Sequence, residues 1–167
     1  MKKFVFGFVT ALAVFWLGTW IYLRLGLAGV RADERAPTWE ARWMASAVRA
    51  SVRRSAPKMQ NPMPTTIENL AAGGKLYVNG CAGCHGWLGK PPKPPETLYM
   101  PIPELPQVGT QYSDAEVFWI VKHGIRRTGM SAYGPLYSDQ QMWDIAAFIE
   151  NIRNLPPGVI ERIQPQK

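Results

Sequence analysis

The chain places its only two cysteines three positions apart and a histidine directly behind the second, in the stretch CAGCHG from Cys81 to Gly86. Cysteines at i and i+3 lie on one side of a helical turn. Each thiol can there add to one vinyl group of a haem while the imidazole of the next residue, His85, reaches the iron. Other chemistries fit less well. A structural zinc site needs four ligands, and Cys81, Cys84, His85 and His123 exhaust the chain's cysteines and histidines without a second paired spacing to complete a tetrahedron. A redox-active dithiol calls for a preceding strand in a βαβ context, which the surrounding pattern lacks. A disulfide between Cys81 and Cys84 would close too small a loop to stabilise much. One covalently bound haem c is the cofactor this inventory supports. A tethered haem also gives a small domain an apolar nucleus that cannot dissociate.

An electron-carrying haem of this kind takes a sixth ligand, and a soft, neutral thioether would favour ferrous iron and raise the potential. Seven methionines are available. Met1 and the linker residues Met59 and Met63 are poorly placed, Met44 falls in a helix near the N-terminal apolar run, and Met142 falls in the first turn of the last expected helix. Met130, in the Gly-containing loop IRRTGMSAYGPLY, is free to enter a haem crevice from the face opposite His85. Met100 is the reserve. His123 is the rival, but it directly precedes Gly124 at a helix end, where an imidazole commonly bonds terminal carbonyls.

The elements that must position these residues are helical. Thr66 caps a helix running into the cysteines, Ser113 with Glu116 and Ser138 with Gln141 form capping boxes for two more, and Gly124 terminates the first of those two. Between positions 87 and 110 stand seven prolines, so that stretch is expected to be irregular and without a surviving helix. No strand pattern or internal repeat is present. The expected fold is all-α: a haem domain of three to four helices with long loops, preceded by one N-terminal transmembrane helix. Residues 4–23 form an uncharged apolar run of 20, enough to cross a hydrocarbon core of about 30 Å. A cleaved signal peptide, ending near Val30-Arg31-Ala32, is the competing reading; signal cores are usually shorter, and Trp16, Trp20 and Tyr22 gather where an interface would lie.

Positive charge is concentrated early: residues 1–65 carry ten Lys and Arg against three acids, and residues 66–167 carry nine of each. The neutral second part argues against a nucleic-acid-binding face. Basic groups flank the apolar run on both sides, so charge does not orient it. The motif does, because haem is attached to such segments outside the cytoplasm. A single-pass protein of the bacterial inner membrane follows, with its N-terminus cytoplasmic and its haem domain in the periplasm. Thr38 opens a further helix on which Arg42, Arg49 and Arg53 form one stripe and Trp39, Trp43, Ala47 and Ala50 the adjoining one. It suits a headgroup surface, a solvated linker or another subunit. The boundaries expected are an anchor at 1–30, a juxtamembrane helix and Pro-rich linker at 31–65, the haem domain at 66–157 and a tail at 158–167.

The stretches GGKLYVNGCAGCHG, PELP, FWIVKHGIRRTGMSAYG and YSDQQMWDIAAFIENIRNLPP resemble the membrane-anchored, single-haem class I c-type cytochromes over roughly residues 66–157. The resemblance implies that the first domain helix crosses the last beside the haem through Gly73, Tyr77 and Phe148, with Trp143 a little over one turn earlier. It implies further that Pro103 and Leu105 match the family's Pro-x-Leu, whose proline carbonyl accepts the proximal imidazole's N–H and fixes its tautomer. An inserted KPPKPPETLYM makes Pro92 and Pro95 alternatives. Tyr77 and Trp119 complete the expected haem pocket. The expected function is single-electron transfer in a respiratory or photosynthetic chain rather than enzyme catalysis, with protein redox donors and acceptors and a larger membrane complex as partners, alongside the lipid bilayer. A gas- or peroxide-reactive enzyme or sensor with a displaceable sixth ligand is the alternative.

Overall fold

The computed structural model describes residues 1–31, 33–93 and 100–163. It divides into two compact units, Met1–Ala32 and Asp33–Lys167. The first is one helix, α1 (Lys2–Arg24), none of whose residues is buried and which is long and apolar enough to cross a membrane. Its two threonine hydroxyls are satisfied from within: Thr10 and Thr19 each donate to the carbonyl four residues earlier, on Phe6 and Phe15, at 2.9 Å. Hydrocarbon demands such pairing.

The second unit is helical, and among its described residues the only β feature is an isolated bridge between Trp87 and Lys90. Its elements are α2 (Thr38–Ser55), α3 (Ile67–Gly80), α4 (Ala82–His85), α5 (Leu105–Val108), α6 (Asp114–His123), α7 (Asp139–Asn151) and α8 (Pro157–Ile163). The starts follow from the caps. Thr66 Oγ1 accepts the Asn69 N–H at 3.2 Å, and Ser113 with Glu116 and Ser138 with Gln141 make reciprocal capping boxes. Helix α7 is the centre, with Met142 through Ile149 all buried, because α3 packs on one side of it and α6 on another. At the α3–α7 crossing a β-carbon on Gly73 would stand 2.1 Å from the Asp144 carbonyl oxygen, so only glycine permits this approach. Tyr77 and Phe148, both fully buried, meet there at 5.3 Å between ring centroids, and Trp87 joins Phe148 at 5.7 Å. Across the α6–α7 contact Phe118 and Trp143 stack at 4.2 Å with planes 9° apart.

The structure departs from the sequence expectations in three places. Residues 158–167 were expected to be a tail, yet Pro157–Ile163 form α8, which packs on α3 through buried Val159 and Ile163. Its seven residues are too few to display a period. The proline-rich stretch was expected to hold no helix, but Leu105–Val108 make the single turn α5, in which Pro106 falls at an early position whose N–H needs no partner. The boundary near Thr65 also moves. Helix α2 packs against α6, with Val52 and Ala56 buried and Ala45 and Val48 half-buried, while Trp39 and Trp43 are 65% and 76% exposed. The linker is held as well, since Asn61 Nδ2 donates to Asp114 Oδ2 and to the Trp143 carbonyl at 3.0 Å each.

Candidate functional site

Helix α3 delivers the cysteines. Its last turn continues through Cys81, whose N–H donates to Tyr77 O at 2.8 Å, and the chain then tightens so that both Cys84 and His85 donate to Cys81 O, at 3.1 and 2.9 Å. Both cysteines are free thiols, Cys81 buried and Cys84 half-buried. Burial, with a smaller contribution from Cys84, pushes the unmodified Cys81 thiol up to about 12. At neutral pH it is therefore protonated, the wrong state for a thiolate metal ligand or a redox nucleophile. Among the described residues no group of three or more His, Cys, Asp and Glu is gathered to hold a metal ion.

Two tyrosines bracket this segment. Tyr77 Oη donates to Gly86 O at 2.8 Å, just after His85, and Tyr133 Oη donates to Gly80 O at 2.8 Å, just before Cys81. Tyr77 was expected in the pocket from the sequence. Tyr133 was not, because nothing local marks a partner 53 positions away.

His85 Nδ1 stands 2.9 Å from Pro103 O. A carbonyl oxygen can only accept, so the proton lies on Nδ1 and the lone pair on Nε2 is left for a metal. Burial lowers the pKa of His85, against an opposing effect of the Pro103 bond, and so favours the neutral, ligating imidazole. Of the other prolines considered, Pro92 lies near Gly86, whose β-carbon would come within 3.2 Å of its Cδ, and Pro95 is outside the described residues. Leu105 is buried in the core at the start of α5.

Met130 sits in the loop between α6 and α7, half-buried and packed against the core cluster that includes Cys81. Its backbone is fixed on both sides: its N–H donates to Thr128 Oγ1 at 3.1 Å and its carbonyl accepts from Ile125 N at 3.0 Å. Gly124 makes this fit possible. It adopts φ +66°, and a β-carbon there would lie 2.6 Å from Met130 O. The other expected residues are placed differently. Trp119 is half-buried with its ring 5.0 Å from that of His123, which is exposed at the end of α6. Met142 is wholly buried in the core, and Met100 is half-buried beside the undescribed residues 94–99.

Residues 68–149 match the family model described as cytochrome C oxidase, cbb3-type, subunit III. The chain is also 32% identical over 81 residues to a cytochrome c6 of Synechococcus elongatus, an alignment covering 48% of this chain and 87% of that protein. The chain belongs to the c-type cytochromes. No solved structure matches it. This cytochrome accordingly holds one covalently bound haem c and works as a haem-based electron carrier. The donor set fits the group: two unpaired thiols on one turn and an imidazole whose Nδ1 is already committed to a carbonyl. The haem supplies an iron that changes oxidation state by one electron. Cys81, Cys84 and His85 would hold it, with the His85 tautomer set by Pro103 O, and Tyr77, Phe148 and Trp87 form a contiguous aromatic cluster in the adjoining core.

Proposed function

We propose that this cytochrome is a membrane-anchored single-electron carrier in which Cys81 and Cys84 carry the haem thioethers and His85 and Met130 are the axial ligands of the iron. Helix α1 is the single-pass anchor in a bacterial inner membrane, N-terminus cytoplasmic, and the haem domain works in the periplasm as a subunit or docked accessory of a larger respiratory or photosynthetic complex. The observation that carries the reading is the Met130 loop. Met130 packs against the core cluster that contains Cys81 of the chain's one Cys-x-x-Cys-His segment, and its backbone is held by Gly124, Ile125 and Thr128. A loop held this firmly supports a fixed sixth ligand and electron transfer rather than an open coordination position for a gas or peroxide. Thioether ligation also suits the high-potential end of such a chain. The cbb3-type description supports the complex, since it names a subunit of an oxidase. The test is a ferric absorption spectrum of the full-length holoprotein. A weak red-edge band typical of sulfur ligation should be present and should vanish in Met130→Ala. Its persistence in that variant refutes the Met130 assignment.

A further inference from the structure

The carbonyls at the two ends of the haem-attachment segment have different reasons to need a partner. Gly86 O lies past the end of α4 and is taken by Tyr77 from within the same stretch of chain. Gly80 O is the last carbonyl of α3, and its helical donor would be the N–H of Cys84, which turns instead to Cys81 O. That leaves a helix-end acceptor of the kind that must be satisfied from outside. Tyr133 satisfies it from the ligand loop.

We propose that Tyr133 is a positioning residue that couples the Met130 loop to the helix delivering Cys81, holding the sulfur ligand closed over the iron. The inference rests on Met130 being that ligand. Tyr133 is well built for the task because its backbone and ring are both fixed before the hydroxyl reaches across. Its N–H donates to Val121 O at 2.9 Å and that of Gly134 to Lys122 O at 3.1 Å, so this part of the loop is tied to α6. Its ring stacks on Tyr137 at 5.6 Å with planes 11° apart. Burial raises the Tyr133 pKa, so the hydroxyl keeps its proton and remains a donor at neutral pH. Only Ser131 and Ala132 separate Met130 from Tyr133, and both pack against Gly124. A loop that swings Met130 outward must therefore break either the Gly80 bond or the packing on Gly124.

The test titrates imidazole into the ferric full-length holoprotein, because an added ligand can occupy the sixth position only when the loop opens. Apparent affinity then scales with the open fraction. Tyr133→Phe removes one hydroxyl and keeps the ring. It should leave the red-edge sulfur band in place without imidazole and tighten apparent imidazole binding roughly three- to tenfold, the loss of about one net hydrogen bond. If the unmutated protein shows the sulfur band and Tyr133→Phe binds imidazole as weakly, the coupling is refuted while Met130 ligation stands. If the unmutated protein lacks the band, Met130 ligation falls and the coupling with it. Hydrogen exchange in the unmutated protein provides an independent reading should the variant not assemble: the amides of Tyr133 and Gly134 should exchange faster once imidazole is bound, and unchanged protection overturns the inference.

Discussion

Replacing Gly73 by alanine adds one methyl group where α3 and α7 touch. The β-carbon would stand 2.1 Å from Asp144 O, 2.4 Å from Asp144 C and 3.0 Å from Ile145 N. A carbon and a carbonyl oxygen rest at about 3.3–3.6 Å, so the contact must open by more than about 1 Å. All three atoms are backbone in the middle of a buried helix, and no side-chain rotation can relieve them. The helices must separate, loosening the Tyr77–Phe148 contact one turn along. Overpacking of this kind costs typically about 1–3 kcal/mol, and a clash with rigid backbone belongs at the upper end or above. Alanine recovers about 1 kcal/mol of helix propensity over glycine. The net loss should be about 2–3 kcal/mol, a fall in melting temperature on the order of 10 °C for a domain of this size. Thermal unfolding of the detergent-solubilised holoprotein, followed by circular dichroism, measures it. A melting temperature within two degrees or so of the unmutated protein, on a scale where about 1 kcal/mol moves it by several degrees, would show that the helices do not cross at Gly73.

Val52→Asp should undock α2 by placing an unpaired carboxylate in the contact with α6, and trypsin should then cut faster at the exposed Arg53 and Arg54 while the haem spectrum is unchanged; an unaltered cleavage rate would mean that α2 does not pack there. The Glu150 carboxyl is lifted to about 7, chiefly by its hydrogen-bonded pairing with Asp114 and secondarily by burial. Between the ordinary carboxylate range and that value the folded chain binds more protons than the unfolded one, so stability should fall as pH rises from about 4.5 to 7. Glu150→Gln should flatten this dependence, by on the order of 1 kcal/mol after allowance for solvent screening of an exposed group. Denaturant midpoints at several pH values check it, and an undiminished slope would exclude the pair as the cause.

What the sequence disclosed is what neighbouring residues decide together. The caps at Thr66, Ser113 and Ser138, the stop at Gly124 and the Cys81–His85 turn are all settled within four or five positions, and the structure reproduces each. The residues that escaped notice act over distance. Tyr133 finds Gly80 53 positions away, and Asn61 finds Asp114 across the same span, through folding alone. On α2 the two large tryptophans mark the exposed face, not the one that packs on α6. The stripe that docks is the less conspicuous Ala45, Val48, Val52 and Ala56, spaced for one side of a helix but too small to stand out in an apolar pattern.

That docking changes what the segment ahead of the haem domain can do. At about 100° per residue, Trp39 and Trp43 lie on the side of α2 opposite Val52, so burying Val52 turns both rings outward. A freely tethered shuttle needs only a polar linker, and exposing two tryptophans on one would be unfavourable without a partner. Because α2 is packed on α6, and Asn61 ties the following linker to α6 and α7, the exposed tryptophans are held in fixed register with the helices that position the haem segment. A surface of Trp beside Arg42 and Arg53 has the composition of an interface anchor. The near-neutral haem domain offers little long-range steering toward a mobile partner. Fixed presentation of an adhesive face, combined with weak steering, is what the proposed lasting association with a membrane complex requires and what a carrier working by repeated diffusive encounter does not.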